Sequence, residues 1–180
     1  SWSTQQNQPT AQFYRVNTDE RFPYWIYAGQ QDNSTVAVPN RAGAGGIGWQ
    51  DWHPVGGCES AYVAFDPKNP RYSYAGCYQG QISEFDLTTR ENRDVMHYPA
   101  LSLALPSREM KYRFNWNAPI AVSKHDTKVI YHASQKLLRS EDRGRTWREI
   151  SPDLTNPDDK TQGFGGGPIT NEGAGGEIYN

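Results

Sequence analysis

Three carboxylates in the first third of the chain could carry out acid–base chemistry. Glu59 is the best placed of them, and Asp32 and Asp51 are its candidate partners. Two carboxylates at a defined separation hydrolyse glycosidic bonds, one as the general acid and the other as the base or nucleophile. Glu59 could also orient a ligand, or accept hydrogen bonds from backbone amides at the end of a strand, and the sequence favours this last role.

Polar and aromatic side chains elsewhere predict a ligand-binding surface. Aromatic rings stack on sugars and amide side chains bind hydroxyl groups, although tryptophans also pack loops onto sheets. Arg113 is a single cation, whereas recognition of a sugar carboxylate would need several arginines. The polar run 30–33 could also bridge neighbouring units of the fold, and this is its favoured role. The candidate ligand-binding residues are Gln12, Gln31, Trp49, Trp52, Arg113 and Trp116.

Composition and spacing argue against several other kinds of site. The histidines at positions 53, 97, 125 and 132 lack metal-ligand spacing, and no phosphate-binding loop or nucleophile motif occurs, so we predict neither a metal nor a cofactor. The 18 Lys and Arg residues are interspersed among 20 Asp and Glu residues, which argues against a nucleic-acid partner. No run approaches the roughly 18 apolar residues of a membrane span.

Three segments of the chain repeat one pattern, in which two short aromatic or β-branched runs flank a polar turn. Aligned tyrosines mark the segments at positions 27, 74 and 131, and a third run follows each pair at 34–38, 81–85 and 136–140. Four short strands that recur about every 50 residues form a propeller blade. A β-sandwich also contains short strands, but it does not explain a pattern repeated three times in register.

We therefore predict an all-β fold, a partial β-propeller of about three four-stranded blades from a larger multi-bladed ring. Residues 1–10 would end a preceding blade, and residues 158–180 would form a linker and the start of the next. The three blades would occupy residues 11–57, 58–117 and 118–157. The first would include a long Gly- and Trp-containing loop, the second would include the connection to the third, and the third would contain an Asp box.

The propeller prediction brings three candidate residues to one rim. The first strand of each blade lines the central channel, and the loops that enter these strands carry Gln12, Glu59 and Trp116. Three blades cannot close a ring, and their exposed strand edges would pair with other chains or blades. The predicted partners are therefore the remaining blades of the same parent chain or further copies of this one.

Residues 140–147 fill every position of the pattern S-x-D-x-G-x-T-W, the Asp box. Asp142 can accept hydrogen bonds from turn amides, Gly144 can adopt a positive φ, and Trp147 can bury its ring against the turn. The hydroxyls of Ser140 and Thr146 can tie the flanking strands together. All these roles are structural, so the motif predicts the connection between the third and fourth strands of a blade.

With this motif and the repeats, the sequence resembles the Asp-box (BNR-repeat) β-propeller family of sortilin-like and glycosyl-hydrolase-like exported proteins. The resemblance implies an extracellular or periplasmic protein whose blades act as a binding or scaffolding platform for a polysaccharide or a protein. The alternative is part of a glycoside hydrolase that uses paired carboxylates. The phrases that carry the resemblance lie at 8–14, 30–35, 56–67, 111–114, 151–155 and 166–170.

Cys58 and Cys77 stand where the family pattern usually has small residues. If residues 66–69 form a hairpin turn, Phe65 faces Pro70 and, further along the ladder, Cys58 faces Cys77. Opposed residues lie about 4.5–5.5 Å apart at Cα, which a disulfide accommodates, and two buried free thiols are the alternative. A disulfide would indicate an oxidising compartment.

Overall fold

The computed structural model describes residues 11–100, 102 and 105–164 of the chain. These residues form eleven β-strands, and within the same ranges there is no α-helix and no helix that could cross a membrane. The predicted all-β class is therefore confirmed. The predicted end of a preceding blade at 1–10 and the start of a next blade after residue 164 lie outside the described residues.

The first sheet is an antiparallel meander of three strands. Its strands β1, β2 and β3 are Phe13–Thr18, Trp25–Gln30 and Thr35–Pro39. The prediction of a fourth strand is wrong for the described residues, because the sheet gains only a single antiparallel bridge between Ala37 and His53. The Gly-rich connection before His53 offers few side chains to a sheet, and Pro54 after it has no amide hydrogen to extend a ladder.

The second and third sheets are antiparallel meanders of four strands each, in which every strand pairs with the next along the chain. In the second sheet, β4 to β7 are Val63–Phe65, Tyr72–Gly76, Ile82–Asp86 and Asn92–Asp94. In the third, β8 to β11 are Ile120–Val122, Ile130–Ala133, Leu137–Ser140 and Arg148–Glu149.

The second sheet lies between the other two and is covered on both faces. Within β4, Val63 and Phe65 pack with Tyr27 of the first sheet, whereas Ala64 packs with Ile130 of the third. Successive side chains of a strand point to opposite faces, so consecutive apolar residues suit a strand that is buried on both sides. Strand β4 also lies beside β1 and β8, the first strands of the two outer sheets.

The Asp box forms the turn between β10 and β11. Asp142 accepts hydrogen bonds from the Thr146 amide at 2.8 Å, the Thr146 hydroxyl at 2.7 Å and the Ser140 hydroxyl at 2.8 Å. The bonds from Thr146 are the main reason that the pKa of Asp142 falls to about 2. Gly144 has a φ of +78°, which favours glycine, and its amide donates to the Ser140 hydroxyl at 2.7 Å.

The same turn packs the third sheet against the second. The indole Nε1 of Trp147 donates to the Val95 carbonyl oxygen at 2.8 Å, directly after β7. A Cβ at Gly144 would lie 2.7 Å from the Val95 Cβ, so the backbone of the turn approaches Val95 closely. Glycine and tryptophan of the box thus hold two sheets together.

The predicted register of the β4–β5 hairpin is wrong by three residues. Phe65 pairs with Ser73, whereas the sequence-based register places Pro70 opposite Phe65. Pro70 has no amide hydrogen to donate to a ladder, and the Asp66 carboxylate accepts the Lys68 amide at 3.0 Å within the turn. The connection between the two strands is longer for these reasons.

Candidate functional site

Five of the candidate residues meet at one end of the three sheets. Gln12 contributes its backbone carbonyl oxygen, which accepts a hydrogen bond from the backbone amide of Gln31 at 2.9 Å. The others contribute side chains, together with two tyrosines that the sequence did not indicate. We call the side-chain group the rim cluster, and its members are Tyr14, Gln31, Asp32, Glu59, Tyr78 and Trp116.

Glu59 acts as a hydrogen-bond acceptor for the hairpin between β2 and β3. Its Oε2 accepts bonds from Gln31 Nε2 at 2.7 Å and from the Asp32 backbone amide at 2.8 Å. The same Gln31 nitrogen donates to Asp32 Oδ1 at 2.9 Å. Two carboxylates therefore flank one amide group, and the oxygens that it binds lie within about 6 Å of each other.

A tyrosine and a tryptophan extend this network to the third sheet. Trp116 Nε1 donates to the Tyr14 hydroxyl at 2.9 Å, and this hydroxyl donates to Gln31 Oε1. The Trp116 ring stacks on Tyr78, with centroids 5.4 Å apart and ring planes 13° from parallel. Hydrogen bonds thus run in one direction from indole to phenol, amide and carboxylates, an arrangement in which each bond polarises the next.

A disulfide fixes the backbone on which Glu59 lies. Cys58 and Cys77 are joined, with Cα atoms 4.8 Å apart, even though the hairpin register from which the pairing was predicted is wrong. Gly76 forms a backbone hydrogen bond on each side of a turn in the chain. Its carbonyl oxygen accepts the Cys58 amide at 2.9 Å, and its own amide donates to the Tyr62 carbonyl oxygen, so the chain turns at Glu59 between these two bonds. This turn brings Cys58 back to β5 and directs Glu59 towards the first sheet.

The hairpin of the first sheet has its own local requirements. A Cβ at Gly29 would lie 2.6 Å from the Ala61 nitrogen and 3.0 Å from the Glu59 carbonyl oxygen, so only glycine allows the two chain segments to approach so closely. Asp32 has a φ of +55°, a conformation that aspartate tolerates better than most residues. In this conformation its amide reaches Glu59.

A β-bulge positions Tyr14. The register between β1 and β2 shifts between Phe13 and Val16, which places one extra residue at Tyr14 and Arg15. Bulges redirect side chains and occur next to functional sites. Here the Tyr14 hydroxyl enters the rim cluster, while the Arg15 guanidinium lies over the Tyr62 ring at 5.4 Å.

Asp51 serves a local turn and has no contact with Glu59 in the described part of the chain. Its Oδ2 accepts the Gly48 amide at 2.7 Å, which closes the 3-10 turn Trp49–Asp51. Of the two candidate partners of Glu59, Asp32 is the one that lies beside it. Asp51 as a partner of Glu59 stays a prediction that no contact in the described ranges supports.

The two loop tryptophans lie away from the rim cluster. Trp49 is 81% exposed and contacts Trp52 edge to face, with centroids 5.2 Å apart. The residue after Trp52 is His53, whose ring packs 5.1 Å from that of Trp25 at the beginning of β2. Since the rim cluster lies at the other end of β2, the tryptophans and the cluster do not form one site.

Arg113 is buried in a structural contact. Its Nη2 donates to Asp153 Oδ2 at 2.7 Å and to Thr155 Oγ1 at 2.9 Å, and its amide donates to Gln135 Oε1 at 2.8 Å. Only 9% of its side chain is exposed. The guanidinium secures the segment after β11, so the prediction that Arg113 binds a ligand is corrected.

Two buried carboxylates that the sequence did not indicate are also structural. The Tyr27 hydroxyl donates to Asp19 at 2.9 Å, and the Tyr74 hydroxyl donates to Glu84 at 2.9 Å. Burial raises the pKa of both tyrosines. The third aligned tyrosine, Tyr131, is half-buried and has no carboxylate partner in the described ranges, so the repeated position alone did not predict these pairs.

No protein-family model and no curated protein matches the sequence of this chain. Within the described ranges, no three His, Cys, Asp or Glu side chains are grouped so that they could hold a metal ion.

Proposed function

We propose that the three sheets are consecutive blades of a β-propeller that acts as an exported platform for binding a polysaccharide. The meander order of each sheet supports the blades, as does β4, which lies beside β1 and β8 as neighbouring inner strands of a propeller do. The Asp box between β10 and β11 supports the same arrangement. The Cys58–Cys77 disulfide supports export, since such bonds persist in oxidising compartments.

The observation that carries the binding proposal is the pair of carboxylates held around the Gln31 amide beside a stacked aromatic pair. Carbohydrate recognition needs flat aromatic surface for the sugar ring and fixed polar groups for its hydroxyls. Trp116 and Tyr78 provide the aromatic surface and are half-buried, while Asp32 is exposed and Glu59 is half-buried. Their bonding to one another fixes these groups before a ligand binds, which reduces the entropic cost of binding.

A glycoside hydrolase is the second candidate, and the proximity of Asp32 and Glu59 favours it. Retaining enzymes hold their two carboxyl groups about 5–5.5 Å apart, and the oxygens around the Gln31 amide lie within about 6 Å. However, Glu59 Oε2 accepts two N–H bonds. Both N–H groups belong to the hairpin between β2 and β3, so this oxygen of Glu59 already holds the hairpin in place. We therefore place binding before catalysis.

Binding of the protein to immobilised polysaccharides tests the proposal. We expect Trp116→Ala to weaken binding at least tenfold, because it removes both the stacked ring and the hydrogen bond to Tyr14. The matched control is Trp49→Ala, which removes a more exposed tryptophan outside the rim cluster and should leave the affinity unchanged. An equal loss in both variants, or binding to a protein and to no polysaccharide, would overturn the proposal.

The same preparations separate binding from hydrolysis. If the protein releases reducing ends from a polysaccharide and Glu59→Gln stops this release while binding persists, the chain is part of a hydrolase. We expect no release of reducing ends by the wild-type protein.

A further inference from the structure

We infer that the rim cluster selects neutral glycans, which donate hydrogen bonds through their hydroxyls, and rejects glycans that carry carboxylate, sulfate or phosphate groups. This inference rests on the proposed function and specifies the chemical class of its ligand. It follows from two properties of the cluster, the direction of its internal hydrogen bonds and its charge.

The donors of the cluster are nearly all used internally. Trp116 has one N–H, which binds Tyr14, and the Tyr14 hydroxyl binds Gln31. Gln31 has two N–H groups, which bind Glu59 and Asp32, and the Asp32 amide also binds Glu59. The Tyr78 hydroxyl is the one side-chain donor of the cluster without an acceptor among the described residues. A ligand that brings only acceptors therefore finds almost nothing to bind.

The acceptors, in contrast, have unused capacity. Glu59 Oε1 and Asp32 Oδ2 have no hydrogen-bond partner in the described part of the chain, while the other oxygen of each carboxylate is bound. Beside Glu59, the hydroxyl of Ser60, which can both donate and accept, is buried and also has no partner there. Adjacent hydroxyls of a sugar ring supply the O–H donors that two such carboxylate oxygens accept.

The negative charge of the cluster also disfavours anionic ligands. It contains two carboxylates, and neither forms an ion pair with a Lys or Arg in the described ranges. Arg15, which shares the bulge with Tyr14, lies over the Tyr62 ring and makes no ion pair with either carboxylate. An anionic group placed against Asp32 and Glu59 is therefore repelled at short range, where like charges cost most.

A glycan array that carries neutral oligosaccharides and their carboxylated counterparts, matched in linkage and length, tests the inference. We expect a neutral glycan to bind and its carboxylated counterpart to bind at least about tenfold more weakly at low salt. The difference should narrow as the salt concentration rises, because salt screens the repulsion.

Substitutions identify the groups responsible for the selection. Asp32→Asn with Glu59→Gln removes both charges but retains amide oxygens that can accept the existing bonds, so binding of the carboxylated glycan should increase relative to the neutral one. Asp51→Asn is the matched control, since this carboxylate closes a separate turn, and it should leave the ratio unchanged. A thermal melt of each variant verifies that it is folded.

The possible results separate this inference from the function on which it rests. Equal or tighter binding of the carboxylated glycan overturns the inference alone, and loss of that binding in Arg15→Gln would identify the cation responsible. Absence of binding to every glycan on the array overturns both.

Discussion

The disulfide between Cys58 and Cys77 lies directly before two members of the rim cluster. Its Cα atoms are 4.8 Å apart, Glu59 follows the first cysteine, and Tyr78 follows the second. Glu59 bonds to the first sheet, and Tyr78 stacks on Trp116, which precedes the third. One covalent bond beside the second sheet thus holds the backbone of two residues that contact the first and third sheets.

We expect removal of this disulfide to reduce both stability and ligand binding. The bond links residues 19 apart, and a loop of this size corresponds to about 3 kcal/mol in the free energy of unfolding. Urea denaturation of the Cys58→Ser, Cys77→Ser double variant would measure the loss of stability. The glycan affinity of the folded variant, measured without urea, would show the loss of binding. If the variant loses stability but retains full affinity, the disulfide does not position the rim cluster.

Gly29→Ala should destabilise the protein by about 1–3 kcal/mol, because the new methyl group would collide with backbone that cannot move freely. The added Cβ would lie 2.6 Å from the Ala61 nitrogen. Gly43→Ala is the matched control, since a Cβ there would meet nothing within 4 Å. Chemical denaturation of both variants provides the measurement, and equal stability of the two would show that the approach of β2 to Ala61 is not tight.

The repeat pattern predicted much of the rim cluster from the sequence. Gln12, Glu59 and Trp116 precede the first strand of three aligned segments, so a shared topology places them at the same end. Tyr14 could not be identified in this way, because it lies in an apolar run and a bulge redirects its side chain. Bulges depend on pairing with a second strand, which a single run of residues does not reveal.

Residues in long connections were harder to place. Asp51 and Trp49 lie in a Gly-rich loop, and no periodicity of the sequence determines the path of such a loop. Arg113 lies several residues before the next strand, so the strand pattern does not predict where its side chain points. The disulfide was placed correctly on an incorrect register, since a turn at Glu59 offsets the longer β4–β5 connection. The pairing register of a hairpin depends on the length of its turn, and individual hydrogen bonds within the turn set that length.

The stability of the protein should fall as the pH falls from about 6.5 to 4. His132 is 1% exposed and stacks on Phe114, and burial lowers its pKa from 6.5 to about 3. Burial, with nearby Arg90 and Arg21, likewise lowers the pKa of His53 to about 4. Below pH 6.5 the unfolded chain therefore binds protons that the folded chain does not, and each such proton lowers the free energy of unfolding by up to about 1.4 kcal/mol per pH unit.

His132→Leu should make this pH dependence shallower by up to one proton, because leucine does not titrate and fills an apolar site. His125→Leu is the control for the loss of one histidine, since His125 is exposed in the turn between β8 and β9, and the slope of His132→Leu should be the shallower of the two. Urea denaturation at several pH values measures the slopes. An unchanged slope in His132→Leu would mean that the buried imidazole does not limit stability in acid.

The chain should associate through β1. This strand is at the edge of its sheet and is largely exposed, including Phe13 at 49% and Val16 at 57%. An edge strand with exposed apolar side chains pairs readily with another chain, and a charged residue on it opposes such pairing.

Sedimentation of the wild-type protein at increasing concentration should therefore reveal oligomers, and Val16→Lys should shift them towards the monomer. Leu154→Lys changes an apolar residue of 65% exposure outside the strands and should leave the distribution as in the wild type, so the same shift in both variants would exclude β1 as the contact.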